Sequence, residues 1–158
     1  MASADAVTAA LAERAALARE QAASRSAAER ARKVWPAAGA LTGWWGEPRG
    51  GRLHLGVDID GETGDEIYAM SVGVVSHAGP AMEGYGGYGN MVIIDHDGYQ
   101  TLYAHLSRVD VKVGTPVVAG QIIGLMGTSG NVTGSHLHFE ARVNGQQIDP
   151  RQVLPARQ

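Results

Sequence analysis

The chain has 158 residues, 44% of them hydrophobic, and a formal net charge of −3, enough for one globular domain with an appendage and without a basic stripe for nucleic acid. It has no cysteine, which excludes disulfides, thiolate nucleophiles and Cys-ligated zinc and leaves any metal site to His, Asp or Glu. No apolar run approaches the ~20 residues that span a bilayer, so neither a nucleic-acid partner nor an integral membrane segment is expected.

The amino terminus, Met1-Ala-Ser-Ala-Asp-Ala-Val, lacks the basic and apolar regions of a secretory signal. From Ala4 to Val34 the chain is alanine-rich, interleaved with Glu, Arg and Gln and free of Gly and Pro, which predicts a long helix. Leu11, Ala15, Ala18 and Ala22 fall at helical spacing, and Glu29 and Lys33 make a favourable i,i+4 pair. Only Val7, Leu11, Leu17 and Val34 are sizeable, so the helix is expected to be a solvated linker or to join another chain as a homo- or hetero-oligomer, not to fill the core. Ser26-Ala-Ala-Glu29 has capping-box form and marks an expected second break.

Trp35-Pro36 ends the helix, because a residue before proline is driven towards extended backbone. The organisation is therefore a helical segment, 1–34, followed by a β domain, 35–158. Glycine turns separate short expected strands at 53–59, 66–76, 90–96, 99–105, 115–118, 122–126 and 136–143. Asp97-Gly98 and Asn144-Gly145 are hairpin signals. The fold class is mainly β: one antiparallel sheet domain with an open groove.

His136-Leu-His138-Phe139-Glu140 sits in the last of these strands. Strand side chains alternate, so His136 and His138 share one face while Leu137 and Phe139 enter a core. His54 and Asp58, four apart in an expected strand, also share a face. Two His and one Asp make an open zinc site, with a fourth position left for water. His105 ends an alternating strand; it, and whichever of His136 and His138 is not a ligand, can move protons near the metal or stabilise negative charge on a carbonyl. The bland reading of His105 is a strand cap.

These residues carry a resemblance. His54-Leu-Gly-Val-Asp58, Gly87-Tyr-Gly-Asn90, Tyr103-Ala-His105-Leu, the run from Val113 to Gly124, Gly127-Thr-Ser-Gly130 and Gly134-Ser-His-Leu-His-Phe-Glu140 are similar to the LytM or lysostaphin-type peptidases, the M23 zinc metallo-endopeptidases that cut peptides of bacterial peptidoglycan. The resemblance implies a fold related to lipoyl-type barrel-sandwiches, one Zn²⁺ per chain held by His54, Asp58 and His138, and His105 and His136 as unliganded catalytic histidines with their two roles undivided. It implies peptidoglycan stem or cross-bridge peptides as partners.

In some relatives a tyrosine before the first zinc histidine assists the reaction, whereas Leu41 to Leu53 here has Trp44 and Trp45 and no tyrosine. The tryptophans are expected to line the groove or to anchor their loop. Tyr85, Tyr88 and Asn90 form a second wall, Thr128, Ser129 and the stretch to Thr133 a third; glycine lets an extended peptide approach backbone there. Asp60, Asp65, Asp95 and Asp97 belong to turns and solvent faces. The rival class is a binding module. The Val113 to Gly124 run resembles biotinyl and lipoyl carriers, yet the only lysines, Lys33 and Lys112, lie outside a carrier turn. A non-catalytic wall-binding or amidase-activating domain of the same fold is the remaining alternative. Action at the wall without a signal sequence suggests a phage lysin or virion protein, or a trimmed exported protein.

Overall fold

The computed structural model describes residues 4–157. They form two compact units that part between Arg32 and Lys33. The first is helix α1 (Ala4–Ala31), in which no residue is buried. It runs unbroken through Ser26, contrary to the capping-box expectation, because Arg30 donates to the Ser26 hydroxyl at 2.9 Å and to its carbonyl at 3.3 Å. It ends three residues before Val34, whose N–H is taken instead by the Met70 carbonyl at 2.9 Å.

The second unit is an antiparallel sheet built from β1 (Leu41–Gly43), β4 (Val57–Asp60), β5 (Glu66–Tyr68), β6 (Gly73–Pro80), β7 (Asn90–Asp95), β8 (Gln100–Val109), β9 (Pro116–Val117), β10 (Ile122–Met126), β11 (His136–Val143) and β12 (Gln146–Ile148), with β2 (Pro48–Arg49) and β3 (Arg52–Leu53) as a separate ribbon. The main order is β1-β4-β11-β8-β7-β6-β9; β10 joins β5 and β8, and β12 joins β11. Both expected hairpins form, β7 to β8 around Asp97-Gly98 and β11 to β12 around Asn144-Gly145. The second uses two positive φ values, 50° and 77°, the conformation that suits a two-residue turn to strand twist.

Two expected strands are broken. The 66–76 stretch divides into β5 and β6, with Met70 buried between them. The 53–59 stretch is interrupted at His54-Leu55-Gly56, so His54 and Asp58 are brought together by a bend, not by strand alternation. Gly56 makes the bend possible: a Cβ there would lie 2.4 Å from the Phe139 carbonyl oxygen and 2.8 Å from the His138 ring.

Alternation along β11 sorts the two faces of the sheet. Leu137, Phe139 and Ala141 join Val57, Ile59, Ile67, Met70, Ile94, Tyr103, Leu106, Ile123 and Met126 in the main core. Burial of such side chains contributes about 1.5–3 kcal/mol each and sets the register firmly, since a one-residue slip would turn this set outward. His136, His138, Glu140 and Arg142 therefore occupy the opposite face. That face has its own small apolar floor, Met91, Ile93, Leu102 and Ala104, covered by Ala81, Tyr85 and Tyr88.

Candidate functional site

Three neighbouring elements converge on one point. His138 on β11 is paired directly with Asp58 on β4, and His54 enters from the bend before β4. His54 Nε2, His138 Nδ1 and Asp58 Oδ1 form a triangle with sides of 3.1, 3.0 and 3.2 Å. All three residues are buried. Tetrahedral ligands at about 2.0–2.2 Å from an ion lie about 3.3–3.6 Å apart, slightly wider than this spacing.

The tautomers follow from the outer partners. A carbonyl can only accept, so His54 Nδ1–H donates to the Trp44 carbonyl at 2.8 Å and leaves Nε2 with a lone pair. His138 Nε2–H donates to the Glu140 carboxylate at 3.0 Å, leaving Nδ1 facing the triangle. Three acceptor atoms at such distances need a shared positive charge: a proton on His138 Nδ1 or a metal ion. The electrostatics point the same way. Burial opposes ionisation of Asp58, but hydrogen bonds and charge from His138 and His54 overcome it and hold the carboxyl well below the usual range. Burial likewise works against His138 protonation, yet Asp58 and Glu140 raise its pKa. His54, Asp58 and His138 are thus chemically suited to hold a metal cation.

Glu140 anchors the network behind this triangle. Its side chain has no exposed surface, accepts from the Tyr88 hydroxyl, and takes two bonds from Arg142 at 2.9 and 2.6 Å. Burial would raise its pKa, but His138, Tyr88 and Arg142 lower it. Arg142 also donates to the Tyr85 hydroxyl at 2.5 Å and lies 4.7 Å from that ring. The Tyr88 ring stacks on His138, with centroids 5.5 Å apart. Carboxylates that accept from a ligand histidine fix its ring and raise its basicity. Neither Glu140 nor Arg142 was singled out for such a role from sequence, although both continue the His136, His138 alternation.

His105 reaches the site through an irregularity. Strict alternation from Tyr103 would send it into the core, where Leu106 packs instead. Between Val92 and Asn90, β7 advances two residues while β8 advances three, Tyr103 to Leu106. This bulge puts one extra residue on β8, and His105 absorbs it with φ 67°. β8 then continues to Val109, so His105 does not cap its strand. Its N–H donates to the Tyr88 carbonyl at 2.9 Å, and its Nδ1–H to the Ser129 carbonyl, also at 2.9 Å. Burial, with repulsion from His136 and His138, lowers its pKa to about 4 despite the Ser129 bond. His136 Nδ1–H donates to the Gly134 carbonyl at 3.0 Å, and its Nε2 lies 3.7 Å from Asp58 Oδ1. The His105 and His136 rings are 4.9 Å apart, each with Nε2 free of its backbone bond.

A groove of about 350 Å³ opens over these groups, lined by Arg49, His54, Asp58, Tyr88, His105, His136 and His138, with Gly86, Gly87 and Asn131 to Thr133 as walls. The two glycine loops touch backbone to backbone: Asn131 N–H donates to the Gly87 carbonyl at 2.8 Å, and a Cβ on Gly130 would lie 2.3 Å from the same oxygen. Trp44 contributes its carbonyl, while its side chain lines a separate pocket with Trp35, Leu41 and Leu154. Trp45, Asn90, Thr128 and Ser129 are likewise not among the groove-lining residues. Asn90 donates to the Leu106 carbonyl at 3.2 Å, and Ser129 Oγ both donates to that carbonyl and accepts from Asn90 N–H, so these two brace the bulge that carries His105.

Fold and site together define a β-sheet protein with a histidine- and aspartate-lined groove. The family profile described as Peptidase family M23 matches residues 52–150, and the chain belongs to that family. It is 45% identical over 103 residues to the DD-carboxypeptidase/endopeptidase Mpg of Neisseria meningitidis serogroup B, covering 65% of this chain and 23% of that one. It is 40% identical over 124 residues to the murein hydrolase activator NlpD of Escherichia coli, covering 78% of this chain and 31% of that one. Among solved structures, the catalytic domain of the antimicrobial peptidase lysostaphin from Staphylococcus simulans superposes with a TM-score of 0.63 at 40% identity, over 70% of this chain and 86% of that one. The matches span less than a third of the length of either curated relative.

Proposed function

We propose that the chain is a zinc-dependent endopeptidase that hydrolyses peptide bonds in the stem or cross-bridge peptides of peptidoglycan. The observation that carries this reading is the triangle of His54 Nε2, Asp58 Oδ1 and His138 Nδ1 with two further imidazoles beside it. His54, Asp58 and His138 hold the ion. Zinc bound there supplies a water of lowered pKa and polarises the scissile carbonyl. His105 and His136 each present an Nε2 lone pair that can take a proton from the attacking water; the protonated ring can then donate to developing negative charge or to the leaving amine. Their Nδ1–H bonds to Ser129 and Gly134 keep both rings oriented for this. The glycine walls give an extended peptide room to lie against backbone.

Similarity to NlpD favours a second reading, a non-catalytic activator of other murein hydrolases. The filled donor set and the two extra histidines support the hydrolytic reading over it. Replacing His54 or Asp58 by Ala is expected to abolish zinc binding and cleavage of purified peptidoglycan together. Replacing His105 or His136 is expected to lower cleavage at least ~100-fold with zinc retained, as for loss of a general acid or base. Full cleavage by the His105 and His136 variants would contradict these roles. The reading places action outside the cytoplasmic membrane. Helix α1, with Val7, Leu11 and Leu17 exposed, is read as a solvated linker or as a docking or oligomerisation element.

A further inference from the structure

From Gly84 to Gly89 the groove wall carries only two side chains, Tyr85 and Tyr88, every other position being glycine. Gly84, Gly87 and Gly89 have positive φ, 87°, 91° and 65°, and glycine backbone loses more freedom on ordering than any other. The loop has little of its own to hold it. Its internal hydrogen bonds are long, Tyr85 N–H to the Met82 carbonyl at 3.1 Å and Tyr88 N–H to the Tyr85 carbonyl at 3.2 Å. Both phenols instead reach one buried ion pair on β11: Tyr85 accepts from Arg142 Nη1, and Tyr88 donates to Glu140 Oε1.

Tyr88 then touches the site at two more points. Its half-buried ring lies on His138, with the planes 22° from parallel. Its carbonyl accepts the backbone N–H of His105 at 2.9 Å, at the bulge residue whose φ is 67°. The carboxylate oxygen that takes the phenol is also the one that takes His138 Nε2–H, while Arg142 fills Oε2 with two bonds. The hydroxyl therefore acts on the oxygen that orients His138, and in doing so anchors the carbonyl that supports His105. No other residue lining the groove contacts His138, the carboxylate behind it and the His105 backbone at once.

We propose that Tyr88 is a positioning residue that sets the ring of His138 and the backbone of His105 in one frame with the glycine wall. The proposal rests on the reading of His54, Asp58 and His138 as metal ligands, and its readouts need no cleavage. Tyr88→Phe keeps the ring and the backbone and removes only the hydroxyl. Zinc affinity, measured by chelator competition, is expected to fall about three- to tenfold, the range for one net hydrogen bond. Exchange of the His105 backbone amide proton, followed by NMR, is expected to quicken by about the same factor. In Glu140→Gln the two Arg142 donors hold the amide oxygen at the Oε2 position, so the NH₂ faces His138 and Tyr88 and the phenol has no acceptor. Adding Tyr88→Phe to Glu140→Gln is therefore expected to lower zinc affinity no further, a difference that the double-mutant cycle isolates. Equal losses in the two backgrounds would overturn the proposal, since the hydroxyl would not be acting through Glu140. So would unchanged zinc affinity or an unaltered His105 amide in Tyr88→Phe, either of which would leave the tyrosine a wall of the groove alone. The full pattern in a chain that binds zinc but cleaves no peptidoglycan would uphold the positioning role while refuting the hydrolytic reading.

Discussion

Glu140 decides how well His138 can act as a ligand. Its carboxylate is wholly buried, held by Arg142 and Tyr88, and accepts from His138 Nε2–H, which leaves Nδ1 facing Asp58 and His54. Replacing it with Gln keeps the shape but offers an amide whose NH₂ can face the ring and favour the wrong tautomer. Glu140→Gln is expected to weaken zinc binding about 10–100-fold, measured by competition with a chelator of known affinity, with the fold intact by circular dichroism. Unchanged affinity would mean that the tautomer is fixed elsewhere. His136 and His138 were legible from strand alternation, whereas His54, Asp58 and His105 stood out by residue type and motif alone, since a bend and a bulge bring them to the site. The positioning groups were less legible. Glu140 and Arg142 look in sequence like an ordinary solvent-face pair, and the Trp44 carbonyl has no side-chain signature at all.

At the scale of elements, β10 and β11 have the bounds expected from the glycine turns that separate the strands. The bulge at His105 and the bend at Gly56 were not readable. Both depend on which strand lies alongside: β7 opposite β8 in one case, and Phe139 of β11 in the other. The short β1, β2 and β3 carry too few residues to show any period. His96, just beyond β7, gives a test of packing away from the site. Its Nδ1–H donates to the Val72 carbonyl at 2.7 Å, and its Nε2 lies 2.7 Å from the Thr101 hydroxyl. Burial lowers its pKa below the ordinary 6.5, against opposing contributions from Val72 and Asp95. The folded protein therefore binds this proton less readily than the unfolded chain. Its stabilising effect is complete above about pH 6.5 and is lost as the pH falls from there towards the lower folded value. Urea midpoints measured across that interval are expected to fall more steeply in the wild type than in His96→Gln; parallel curves would refute the assignment.

For the whole molecule, the sheet brings β4, β8 and β11 side by side, so candidate ligands from two regions some 80 residues apart in sequence meet on one face. No described helix is long and apolar enough to cross a membrane. Metal binding and protonation compete for one place in this arrangement, since His138 holds a proton readily between Asp58 and Glu140. Zinc uptake is therefore expected to release protons and to weaken as the pH drops through the imidazole range. Calorimetry at neutral pH in buffers of different ionisation enthalpy measures that release, and enthalpies independent of the buffer would rule it out.

The central claim is that these three side chains bind a metal that the chain uses for hydrolysis. Purified chain, stripped with chelator and titrated with zinc, is expected to take up one ion and to release peptide fragments from purified peptidoglycan only in the loaded form, while His138→Ala does neither. A chain that binds no zinc at neutral pH, or that cleaves equally well without it, would contradict the account.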